Sequence, residues 1–178
     1  MKRFVMKAKM TLAAIAIAAG FSAMSASAAD GTISFTGEIS ASTCEVSGAS
    51  GAVDVTLPTV GLTSLKAAGD TAGATPFSIS VTNCAMGGKT YAYFEAGANT
   101  NSQGRLDSTG SATGVEVEIL NKDETPINVG GAGDQGVAKV DVDASGDATL
   151  QYLARYYATA AAGAGNVATS VQYSVIYE

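Results

Sequence analysis

The chain has 178 residues, with 10 Lys and Arg against 16 Asp and Glu, and neither His nor Trp. Every acidic residue lies from Asp30 onward, where only six scattered cations oppose them (6 − 16 = −10), so a nucleic-acid partner, which needs clustered Lys and Arg to neutralise phosphate, is disfavoured. That balance predicts a surface that stays in solution and repels anionic membranes.

The first residues read as a targeting segment. Lys2, Arg3, Lys7 and Lys9 form a positive patch, and an uncharged Ala/Ile-rich run of 12 residues follows from Met10 to Phe21. That run is well short of the ~20 residues needed to cross a bilayer. Ala26-Ser27-Ala28 supplies the small residues a signal peptidase requires, and Ser27-Ala28-Ala29 is a competing site. Residues 1–28 are therefore expected to be removed on export, leaving a chain of about 150 residues, enough for one domain with a real core.

The exported chain would open on a strand. Ile33, Phe35, Gly37 and Ile39 alternate with Ser34, Thr36 and Glu38, the period of two that gives an extended segment one apolar face. Such a strand must either pair with its own domain or be offered to another molecule. Residues 29–41 are assigned to this arm and residues 42–178 to the domain that follows.

Cys44 and Cys84 are the only cysteines, and without His they cannot make an ordinary zinc site. Export places them where disulfides persist, and a bridge closing a loop of this size is worth roughly 4 kcal/mol in the chain-entropy model.

The remaining sequence reads as β. Residues 53–57, 77–81, 115–119 and 150–157 each alternate, and so does the last stretch, where Val171, Tyr173, Val175 and Tyr177 oppose Gln172, Ser174, Ile176 and Glu178. Turn clusters separate them at 85–88, 121–124 and 130–134. The low-complexity residues 158–168 read as a loop. Asp141-Val142-Asp143-Ala144-Ser145-Gly146-Asp147 resembles the start of a calcium loop, but Tyr152 stands where the bidentate Glu is needed, so a hairpin turn around Ser145-Gly146 is the better reading and no metal is expected. Glu116 and Glu118 share a strand face, read here as a solvated one. An enzyme without His would need a Ser–Lys, Tyr or carboxylate-pair site, and no catalytic residue or cofactor is assigned. Short strands at this spacing predict an antiparallel sandwich.

Several features together resemble the pilins of the chaperone–usher class, in particular the major subunit of type 1 fimbriae. They are Gly37 seven residues before Cys44, Cys84 after a strand, Ala154-Arg155-Tyr156 late in the chain, Gly165 fourteenth from the end and Tyr177 penultimate. The resemblance implies an incomplete immunoglobulin-like sandwich that lacks its last strand and is completed by a donor strand from a neighbouring subunit. It implies Ile33, Phe35, Gly37 and Ile39 as donor residues, with Gly37 at a shallow pocket that no Cβ would fit. The acceptor groove and chaperone-binding strand would be marked by Gly165, Val171, Tyr173, Val175 and Tyr177. The implied partners are copies of the chain and other pilins, a periplasmic chaperone, an outer-membrane usher and a tip adhesin, with a final place in a fimbria on the cell surface. The alternative is an exported carbohydrate-binding adhesin or another β-sandwich binding module.

Overall fold

Alternating apolar faces become two facing sheets in the computed structural model, which describes residues 34, 36, 44–46 and 51–178. The elements in chain order are β1 (Glu45–Val46), a single 3-10 turn (Leu62–Ser64), β2 (Thr71–Thr82), β3 (Lys89–Phe94), β4 (Leu106–Asp107), β5 (Thr113–Asn121), β6 (Val140–Asp141), β7 (Ala148–Gly163) and β8 (Tyr173–Tyr177). Among the described residues one sheet has five strands in the order β1-β2-β7-β5-β4, and the other has three in the order β6-β3-β8. Every pairing is antiparallel.

The period of two decides what lies between the sheets. Ile79 and Val81 of β2, Val117 and Ile119 of β5, Leu150, Tyr152 and Ala154 of β7, and Ala92 and Phe94 of β3 form one buried cluster. Phe94 meets Tyr152 edge to face, with ring centroids 5.4 Å apart, a favoured geometry for an aromatic pair. Cys44 and Cys84 are bonded to each other, tying the residue before β1 to the residues just after β2. Pro76 sits within β2 opposite Leu153. Its missing N–H is tolerated because, among the described residues, β1 covers only Val81 and Thr82 and no strand pairs with β2 on that side of Pro76.

Four expectations change. Residues 53–57 join no ladder among the described residues, although Val55 and Leu57 turn inward against the core while Asp54 and Thr56, and also Val53, are exposed. The alternation is present; the neighbouring strand is not. Residues 158–163 are strand rather than loop, because β7 continues to Gly163. Small side chains let that continuation pack: Ala158 is fully buried opposite Val115, and the Ala162 N–H donates to the Leu65 carbonyl at 2.9 Å. The turn at Ser145-Gly146 is real, with the Gly146 N–H donating to the Asp143 carbonyl at 3.1 Å, but it is not a hairpin turn. It carries the chain from β6 in one sheet to β7 in the other. Its Asp143 carboxylate caps the turn, accepting from the Ser145 hydroxyl and from the Asp147 and Ser145 N–H groups, and these bonds, the hydroxyl's above all, hold its pKa below the ordinary aspartate value.

The fourth change is at Glu116 and Glu118, which do not form a solvated face. Glu118 is buried, accepting from Arg155 Nη2 at 2.7 Å and Nε at 2.8 Å, while Arg105 Nε reaches Glu116 at 2.6 Å. Arg105 also stacks over the Tyr157 ring, 3.9 Å from its centroid. A carboxylate can be buried on an outward sheet face when cations from β7 and from the segment before β4 close over it.

Candidate functional site

The register of β8 determines which backbone groups it leaves free. Lys89 and Glu178 exchange both backbone hydrogen bonds, at 2.8 and 2.9 Å, which fixes the alternation along the β3–β8 pair. Ile176, Ser174 and Gln172 therefore aim their backbone groups at β3, as the Glu95 N–H on the Gln172 carbonyl at 2.8 Å shows for the last of them. The N–H and C=O groups of Tyr173, Val175 and Tyr177 aim the other way. No strand pairs with that edge among the described residues. The same three residues turn their side chains inward, against the core.

Beside this edge lies an open groove of about 1080 Å³. Val171, Tyr173 and Val175 are in one wall, residues 51–57 form the other, and Ile79, Phe94, Val117 and Ile119 lie beneath. The groove is larger than the ~300–1,000 Å³ typical of small-molecule pockets. Apolar residues beneath an unpaired strand edge make a place for an extended chain: main-chain groups pair with the edge and alternate side chains enter the groove.

Among the described residues one hydrogen bond joins the walls. The Tyr173 hydroxyl donates to the Gly51 carbonyl at 2.5 Å. Gly51 has φ +65°, and a Cβ there would lie 3.3 Å from the same hydroxyl, so glycine serves both the turn and the close approach. Burial raises the Tyr173 pKa above the ordinary tyrosine value, so at neutral pH it stays a donor. Thr169, also in the lining, has a buried hydroxyl with no partner among the described residues.

Of the residues singled out in the sequence, Val171, Tyr173 and Val175 lie together in the groove wall. Tyr177 continues the same edge, and its hydroxyl donates to the Ala85 carbonyl at 3.0 Å. Gly165 is outside the lining; it occupies the bend after β7, where a Cβ would collide with the backbone of Ser111 and Ala112. Ile33, Phe35, Gly37 and Ile39 lie outside the described residues. Sequence reasoning missed the second wall, whose signal was the alternation at 53–57, and missed Gly51, for which a lone glycine gives none.

The sandwich is that of pilus subunits: it superposes on the P pilus rod subunit PapA with a TM-score of 0.60, covering 76% of this chain and 99% of that one at 17% identity. Residues 57–178 match the FimA family, described as type-1 fimbrial protein, A, and the chain belongs to this family of fimbrial structural proteins. It is 42% identical to the major fimbrial subunit SMF-1 of Stenotrophomonas maltophilia over 163 residues, spanning 86% of this chain and 96% of that one. It is 38% identical to the F17 fimbrial protein of Escherichia coli over 175 residues, spanning 92% and 96%.

Proposed function

We propose that this subunit polymerises by donor-strand exchange, its groove taking the N-terminal arm of a neighbouring copy. The observation that carries this reading is the β8 edge, which no described strand pairs and where Tyr173 and Val175 turn both backbone groups toward the open groove they line. Chaperone–pilin donor-strand complementation is an established form of β-strand addition and suits this geometry. In this reading residues 1–28 are removed on export, and a periplasmic chaperone fills the groove until assembly at an outer-membrane usher. Covering the groove in transit matters because a bare sheet edge beside apolar surface invites aggregation. Ile33, Phe35 and Ile39 supply the apolar face of the arm, and Gly37 comes closest to the acceptor backbone. The product is a surface fimbria carrying a tip adhesin.

The test is deletion of residues 30–39. The variant should fold, keep its disulfide and accept a donor strand, yet fail to extend a fibre, because the donor face is gone and the groove is not. Purified deletion protein that still forms fibres under electron microscopy would overturn the assignment of the arm.

A further inference from the structure

We propose that Tyr173 is a positioning residue that gates the groove: its bond to Gly51 holds the two walls together and must break before a strand can reach that end. The inference rests on the strand-insertion reading above and adds a step to it. Three observations converge. Tyr173 and Gly51 belong to opposite walls of the same groove, and the hydroxyl-to-carbonyl bond between them, at 2.5 Å, is the one direct hydrogen bond that joins β8 to the 51–57 wall among the described residues. Tyr173 is also one of the residues whose own N–H and C=O face the free edge, so an incoming strand must pair with the backbone of the residue whose hydroxyl reaches the opposite wall. Gly51 has no side chain, and even a Cβ there would crowd the phenol, so the local backbone is shaped to receive the hydroxyl.

A strand seated between β8 and residues 51–57 separates the walls that this bond joins. Breaking the bond is part of the insertion barrier and sets the rate at which the strand pairs at that end.

Tyr173→Phe removes the hydroxyl and keeps the ring. Tyr93→Phe is the control, because it deletes a hydroxyl bond of the same kind, to the Gly131 carbonyl at 3.0 Å, from a β3 residue outside the groove lining. The full chain would be purified as a monomer and mixed with a fluorescent peptide matching residues 30–41, with insertion followed by anisotropy. Tyr173→Phe should insert the peptide about 2- to 10-fold faster than the unaltered chain, the range that loss of one net hydrogen bond corresponds to. Tyr93→Phe should insert at the unaltered rate. Equal rates for Tyr173→Phe and the unaltered chain overturn the gate alone, and equal acceleration by both substitutions overturns it in favour of general loosening of the three-stranded sheet. Failure of the peptide to enter any of the three proteins defeats the donor-strand reading itself, and the gate with it.

Discussion

The three-stranded sheet has two outer edges, and the fold treats them in opposite ways. Beyond the two β3 residues that β6 covers, Ala92 and Phe94 aim their backbone groups away from β8. Side chains close that edge. The Ala92 N–H donates to the Tyr152 hydroxyl oxygen at 3.1 Å, and the Phe94 N–H donates to Gln135 Oε1 at 2.9 Å. Gln135 Nε2 donates back to the Phe94 carbonyl at 2.7 Å, so one buried amide imitates the missing strand. Along β8 no such substitute appears among the described residues, although Tyr173 and Tyr177 both have hydroxyls to spend. They spend them elsewhere, on Gly51 and Ala85. A chain that can seal one edge with a single glutamine has the chemistry to seal the other. Among the described residues the β8 edge is left without a partner, and that difference suits it to bind a strand.

The comparison breaks most visibly where the whole sandwich is held. The Cys44–Cys84 bond ties the residue before β1 to the turn after β2, where the Cys84 N–H donates to the Gly146 carbonyl and the Ala85 carbonyl accepts from the Tyr177 hydroxyl of β8. Replacing both cysteines with Ser should cost about 4 kcal/mol, measured by urea denaturation, and should weaken strand capture as well. A loss under about 1 kcal/mol would mean that packing alone holds the wall. Gln135→Leu attacks the sealed edge by itself. It strands the N–H and one carbonyl bond of Phe94 in the core, and at 1–3 kcal/mol for a buried unpaired group the expected cost is about 3 kcal/mol. Capture of a donor peptide should survive in whatever fraction stays folded. Unchanged stability would show that the edge closes without the amide.

Glu118→Gln is expected to be milder. It keeps the shape but leaves Arg155 without its anion, and because the Arg155 side chain is 21% exposed, water offsets part of the loss. A decrease of about 2 kcal/mol, screened little by salt, is the expected outcome. Strong salt dependence would indicate that the pair behaves as a surface contact.

Strand positions were the most legible feature of the sequence, because period-two alternation is a local property: residues 77–81, 115–119 and 150–157 all lie in strands. The continuation at 158–163 was not legible, since a run of Ala and Gly carries no alternation and becomes strand only through packing on Val115 and Leu65. The burial of Glu118 was hidden for a related reason. Its cations come from residues 105 and 155, far away in sequence, so nothing near 118 marks it as paired. At the groove, the Val171–Tyr173–Val175 wall followed from the last alternating stretch, whereas the second wall was read as an ordinary strand. Alternation gives the face a segment turns inward but not whether a neighbour occupies its edge.

The smallest expected effect gives the sharpest comparison, because one substitution type can be placed on either side. Val81 is 1% exposed between the sheets, and Val175 is half-buried in the groove wall with its backbone aimed at the free edge. Val81→Ala removes packing that the free subunit already has, so it should lower stability by about 2 kcal/mol and leave peptide capture by the folded fraction unaltered. Val175→Ala removes a surface that becomes fully buried only when a strand is seated. It should change the melting temperature of the free subunit very little while weakening the captured strand by about 1 kcal/mol, roughly a fivefold faster release. The two numbers to set side by side are the melting temperature of the empty subunit and the release rate of a labelled residue 30–41 peptide. If Val175→Ala lowers the first as much as Val81→Ala does and leaves the second unchanged, the wall is packed without an occupant, and the β8 edge is only a loosely finished border of the sandwich.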